Sequence, residues 1–243
     1  MRRIKTRKKQ VTLQGDIRHA YDRLTDSVSR VLIIGDTHAP FTIKGYLEHC
    51  RETYARFNCN QVVFIGDVID NCYPSYHEND PNGHGAGEEL KLAVDMIADW
   101  YEVFPEAYVT IGNHDANIMR KAFSGGIPQE WIKDFAEVLG TPNWKFVTEV
   151  VIDNVRYVHG HKSGKPRTGA KRDMMSVVSG HYHTDMYIDF VFGRHETIFA
   201  MAVGCGIDNT SYAMAYGAGG KQPALGCGVV IDGTEPILVP MKR

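Results

Sequence analysis

No apolar run in this chain reaches the roughly 18 residues that a membrane-crossing helix needs. The N-terminus is basic but is not followed by the apolar stretch of a secretory signal. Cysteine is scarce: Cys50, Cys59, Cys72, Cys205 and Cys227 are odd in number and lack CxxC spacing. That pattern argues against a disulfide framework and a zinc knuckle, and points to reduced, buried thiols in a cytoplasmic protein. Net charge is only −2, which excludes a globally basic nucleic-acid binder and leaves room for local basic patches. No linker-like segment divides the chain. With 243 residues, 43% of them hydrophobic, it can bury a full core as one domain. Residues 1–15 read as a basic tail and 16–243 as a single domain.

What is present is a short phrase, repeated. Val31-Leu32-Ile33-Ile34 is a branched apolar run bounded by Gly35, the pattern of a buried strand, and Asp36-Thr37-His38 follow at once. Asp36 and His38 are two apart, so they project the same way if the extended geometry continues. The phrase recurs as Gln61–Phe64 with Gly66-Asp67-Val68-Ile69-Asp70, and as Ala107–Thr110 with Gly112-Asn113-His114-Asp115. It returns as Val155–Val158 with His159-Gly160-His161, and as Ser176–Ser179 with Gly180-His181-Tyr182-His183. Strand ends in α/β sheets are where sites form.

Between the phrases, Tyr46 to Phe57 reads as a crossover helix to a parallel strand. Glu88 to Phe104 reads as a helix with Leu90, Val94, Ile97, Tyr101 and Phe104 on its core face. Pro128 to Leu139 reads as another, with Trp131, Phe135 and Val138 inward, and Ile17 to Val28 as a short one before the first strand. Beyond Trp144 strands dominate. Hairpin turns are expected at Asp153-Asn154, Gly193-Arg194-His195 and Asp232-Gly233. Residues 71–85 are a loop that leaves directly from a ligand strand, so His77 is a candidate substrate contact.

Asp36, His38, Asp67, Asn113, His159, His181 and His183 are more donors than one ion takes. Mixed imidazole, carboxylate and amide donors suit Mn²⁺ first, and Fe, Zn²⁺ or Ni²⁺ better than Ca²⁺ or Mg²⁺. Two ions about 3.5–4 Å apart, sharing one carboxylate, clamp an in-line displacement at phosphorus and acidify a bridging water. His114, beside Asn113, is then placed to act as an acid.

These five blocks, in this order and spacing from about residue 30 to 183, resemble the calcineurin-like metallophosphoesterases. The resemblance implies an α/β fold, a four-layer αββα sandwich of two mixed sheets flanked by helices, with the C-terminal strands in the second sheet. It implies two divalent metals. Asp36, His38, Asp67 and His183 would hold one, and Asp67, Asn113, His159 and His181 the other, with Asp67 shared. His159 or His161 could serve in the fourth block, and the family pattern favours His159. His114 would protonate the leaving oxygen, oriented by Asp70. Phosphoprotein phosphatases of this superfamily carry Arg-Gly after the Asp70 equivalent; Asn71-Cys72 stand here, which counts against them.

A phosphodiesterase acting on nucleotides or nucleic acid is therefore the expectation, ahead of a phosphomonoesterase or a metal-stabilised binding protein without activity. The tilt comes from His161–Arg172, read as a Gly/Pro loop carrying cations, in which His161, Lys165 and Arg167 could grip phosphate. Arg120 is a further candidate.

Overall fold

The computed structural model describes residues 28–75, 83–210 and 222–242. The basic tail, most of the helix expected over Ile17–Val28, and His77 lie outside the described residues.

β1 (Arg30–Ile34), β2 (Gln61–Phe64), β3 (Ala107–Thr110) and β4 (Trp144–Val147) are successive parallel neighbours. Helices α1 (Tyr46–Arg56) and α2 (Ala86–Val103) supply the first two crossovers. The third crossover holds α3 (Asn117–Ser124), a 3-10 turn (Gln129–Trp131) and α4 (Phe135–Leu139). The second sheet contains β5 (Glu149–Ile152), β6 (Val155–Val158), β7 (Ser176–Ser179), β8 (Met186–Phe192) and β9 (Thr197–Val203), in the order β5-β6-β7-β9-β8. Helix α5 (Pro166–Asp173) crosses from β6 to β7. β10 (Gly226–Ile231) and β11 (Glu235–Pro240) form the last hairpin. It pairs with β1, Leu32 opposite Val229, so the C-terminal strands join the first sheet and not the second.

Alternation along β1 divides the core. Leu32 and Ile34 face α1 and α2 in a cluster with Tyr46, Phe64, Ile97 and Trp100. Val31 and Ile33 face the second sheet, packing with Tyr157, Val178 and Met201. Side chains of this kind contribute about 1.5–3 kcal/mol each when fully buried. Helix α5 covers the outer face of β7 and β9 through Ala170, Val177 and Ala200. The layers are thus helix, sheet, sheet, helix. Asp153 and Asn154 both have positive φ (49° and 61°), the geometry of a tight hairpin turn. All five cysteines are free, and no helix of the described residues is long and apolar enough to cross a membrane.

Three helix readings are corrected. Of the expected α2 core face, Ile97 and Phe104 are buried and Val94 and Tyr101 pack against the core, but Leu90 is 38% exposed, and Glu89, Ala93 and Trp100 are buried in addition. Trp100 decides this orientation by packing edge-on against Tyr46 and Phe64. The helix expected over Pro128–Leu139 is broken, because Ile132 and Asp134 are extended (ψ 131° and 148°). Trp131 is consequently 83% exposed, while Phe135 stacks on Phe146. The loop expected after His161 becomes α5, with Pro166 in its first turn, where a missing N–H costs nothing.

Candidate metal centre

β1, β2 and β3 are parallel and adjacent, so the segments after their C-terminal ends emerge together. They carry Asp36 and His38, Asp67 and Asp70, and Asn113 and His114. The second sheet brings His159 after β6, and His181 and His183 after β7. Asp36, His38, Asp67 and His183 present donor atoms within 4.8 Å of one another, as do Asp67, His159 and His181. Asn113 Oδ1 lies 3.1 Å from His159 Nε2, which adds the amide to the second group. Asp67 belongs to both groups. In the fourth block it is His159, not His161, that stands with the donors.

Hydrogen bonds fix which atoms point inward. His159 Nδ1 donates to the Ile65 carbonyl at 2.9 Å, and His38 Nδ1 donates to Asp70 Oδ1 at 2.6 Å. Each Nε2 is thereby turned to the centre, and His38 Nε2 stands 3.2 Å from His183 Nε2. Among the described residues, Asp36 Oδ1 is buried without a hydrogen-bond partner. Asp67 Oδ2 sits 3.0 Å from His159 Nε2 and 3.7 Å from His38 Nε2, between the two groups. Buried carboxylate oxygens are ordinarily satisfied. An orphaned Asp36 oxygen and an Asp67 oxygen set among converging imidazoles fit a pair of divalent cations.

Electrostatics divide the histidines. Burial holds His38 below its ordinary value, although Asp70 opposes this, and burial with the His159 charge does the same to His181. At His159 burial also pulls down, but Asp67 and Asp36 outweigh it and raise the group to about 10. At His114 burial is likewise outweighed, by Asp70 and Asp67, giving about 9. Burial pushes Asp67 up, yet His159, His114 and His38 together hold it well below the carboxylate range. Without cations, then, His159 and His114 carry the positive charge that balances Asp67.

The backbone is committed to this arrangement. His38, Asp67 and His181 adopt left-handed φ (47°, 48° and 68°), a conformation that costs L-residues roughly 1–2 kcal/mol each. A Cβ at Gly112 would stand 2.0 Å from Asp67 Oδ1, and one at Gly180 2.1 Å from Asp36 Oδ1. The carboxylates therefore approach main chain that only glycine leaves open. Asp115 was part of the third block but had no role assigned. Its carboxylate accepts the N–H groups of Gly112, Asp67, Val68 and Ile69 at 2.8–3.3 Å, which pins the two ligand loops together. A second acid directly after the Asn113-His114 pair was the available signal.

The remaining candidates are distributed differently. Asp70 was expected to orient His114 through its carboxylate. Both of its groups reach the ring: the carbonyl oxygen accepts His114 Nδ1–H at 2.6 Å, and Oδ1, which also accepts from His38, pairs with His114 Nδ1 at 3.3 Å. Arg120 Nη2 bonds the Pro74 carbonyl at 2.8 Å and so braces the loop after Asp70. Lys165 pairs with Asp185 at 2.8 Å, and Arg167 with Asp189. His161 stacks near His159 with a buried Nδ1 lacking a partner; burial and the His159 charge lower it to about 4.

Fold and site together define a two-sheet α/β protein with paired metal-donor groups at its strand ends. The chain belongs to the calcineurin-like phosphoesterases, whose family description matches residues 29–200. Among solved structures it is similar to Vacuolar Protein Sorting 29 from Cryptosporidium parvum, at 16% identity over 84% of this chain and 85% of that one, TM-score 0.46. The nuclease MPE of Pseudomonas putida matches at 16% identity over 84% of each chain, TM-score 0.41. YfcE, a phosphoesterase from E. coli, matches at 15% identity over 82% of this chain and 87% of that one, TM-score 0.38. No curated protein matches by sequence.

Proposed function

We propose that this chain is a binuclear metal-dependent phosphodiesterase. The observation that carries the reading is Asp67 Oδ2, buried between the two donor groups at 3.0 Å from His159 Nε2 and 3.7 Å from His38 Nε2. One ion would be held by Asp36, His38, Asp67 and His183, the other by Asp67, Asn113, His159 and His181. Nitrogen and oxygen donors without a thiolate favour Mn²⁺ here, with Fe, Zn²⁺ or Ni²⁺ as substitutes. When bound, such ions polarise phosphoryl oxygens and lower the pKa of coordinated water.

The chain's own residues supply the rest. His114 Nδ1–H is fixed on the Asp70 carbonyl, and Asp70 and Asp67 favour the imidazolium, whose Nε2 proton can pass to a leaving oxygen. At 12% exposure the ring still reaches solvent and substrate, unlike the fully buried His38. Buried His38, Asp67 and Asp70 exclude water from the floor of the centre.

Charge favours a diester over a monoester. A monoester dianion calls for additional cations, but Lys165 and Arg167 are paired with acids and Arg120 is bonded to Pro74. A singly charged diester makes a smaller demand. Lys162 lines one pocket with His159 and His161, so nucleotide and nucleic-acid diesters stand beside other organic phosphodiesters as substrate classes. Turnover of Mn²⁺-loaded protein on bis-p-nitrophenyl phosphate and p-nitrophenyl phosphate tests this. A higher kcat/KM on the diester is expected, and a preference for the monoester would reverse the assignment. Failure on both with two ions bound would leave a metal-stabilised scaffold.

A further inference from the structure

Beside the metal centre lies a cavity of about 660 Å³ that the chemistry above does not use. Ile69, Asn71 and Tyr73 form one wall; Leu90 of α2 and Ile118 and Met119 of α3 contribute others. Asp70 sits in the chain between two of these wall residues. Asn71 Nδ2 donates to the His114 carbonyl at 3.3 Å, and Asn117 Nδ2 donates to the Asn71 carbonyl at 3.3 Å. The cavity wall and the His114 side of the centre are therefore parts of one hydrogen-bonded strip.

The lining selects its occupant. Most of it is aliphatic, and its acid is already engaged: Glu89 Oε1 accepts Cys72 N–H at 2.9 Å and Oε2 the Cys72 thiol at 3.2 Å. Lys133 Nζ is bonded to Glu137 at 2.5 Å, which leaves Lys121, an exposed side chain, as the remaining charged residue of the lining. A nucleobase would bring polar edges into a wall with few groups left to pair them, which is costly. A hydrocarbon chain makes no such demand. Leu90 and Ile118, at 38% and 43% exposure, are wall residues that the core does not claim.

We propose that this cavity binds the ester group that departs from the phosphodiester, and that this group is an aliphatic chain. In the reaction the P–O bond to the chain breaks, a P–O bond to the oxygen of water forms, and the alcohol leaves with a proton. Departure of this group rests on the phosphodiesterase reading; the affinity for hydrocarbon does not.

Two measurements separate those parts. The first is hydrolysis of methyl n-alkyl phosphodiesters, from methyl to octyl, by Mn²⁺-loaded protein, with products read by phosphorus NMR. The expected result is a kcat/KM that climbs roughly two- to fourfold per methylene before levelling, with methyl phosphate as the main product. The second is calorimetric binding of n-alkylphosphonates to the same protein, which should show the same climb in affinity. Both slopes should flatten in Leu90→Lys and in Ile118→Lys, each a partly exposed position. Hydrolysis independent of chain length, or a thymidine methyl phosphodiester preferred over the octyl ester, would overturn the inference and leave the phosphodiesterase reading intact. An affinity slope without any hydrolysis would retain the cavity assignment and sink that reading. Absence of both slopes would overturn the inference.

Discussion

Asp67 Oδ1 accepts the main-chain N–H of His114 at 2.8 Å. The carboxylate common to both donor groups thus also anchors the residue placed to handle the proton. Its other oxygen, Oδ2, faces His159 Nε2 at 3.0 Å. In the proposed centre one carboxylate would both hold the ions and anchor His114.

Because Asp67 is in both groups, Asp67→Asn should lower occupancy at both. Metal analysis after Mn²⁺ reconstitution is expected to give close to two ions per wild-type chain and well below one per variant chain. A variant that still holds two ions and turns over normally would contradict the shared role.

Metal uptake should be coupled to proton release. In the metal-free protein His159 is raised to about 10, chiefly by Asp67 and Asp36 against burial. A raised histidine contributes stability that is fully present below its unfolded value of 6.5 and is lost as pH rises through about 10. A cation must displace that proton, so affinity should increase with pH across that window. Calorimetry at pH 7.5 in buffers of different ionisation enthalpy should report about one proton released per loaded centre. No buffer dependence would mean His159 is already neutral.

Asp70 and His114 should separate by metal content. Asp70 Oδ1 holds His38 Nδ1 at 2.6 Å, so Asp70→Asn should weaken ion binding by roughly 10–100-fold, the usual cost of losing a histidine's supporting carboxylate. His114→Ala should leave metal content unchanged and slow alkyl diesters about 10²–10⁴-fold, with far less effect on p-nitrophenyl esters. Equal losses on both substrate types would assign His114 to positioning.

Asp115→Ala removes the acceptor for four main-chain N–H groups. A cost of about 3 kcal/mol is expected, because each buried N–H left unpaired is expensive. For a domain of this size that lowers Tm by roughly 10 °C, measurable by calorimetry. An unchanged Tm would show the loops to be held elsewhere.

The strands and donor blocks were legible because each is local: a branched apolar run, a glycine, then the ligand. The family pattern favours His159 over His161, and the tertiary structure supplies the physical reason, since His159 Nδ1 donates to the Ile65 carbonyl. On α2 only Leu90, of the five residues expected on the core face, lies outside it. The helix's apolar stripe is wider than the face that Trp100 drives into the core, which left Leu90 outside. The cations after His161 looked like a free loop in sequence, where Asp185 and Asp189 lie far along the chain. Asp70's division of labour between carbonyl and carboxylate has no sequence signature at all.

The most direct test is a titration of metal-free protein with Mn²⁺, following hydrolysis of bis-p-nitrophenyl phosphate and bound metal together. Turnover should stay near background through the first equivalent and rise as the second binds, ending at two ions per chain. Two ions bound with no turnover of any phosphodiester, or full turnover at one, would contradict a binuclear phosphodiesterase.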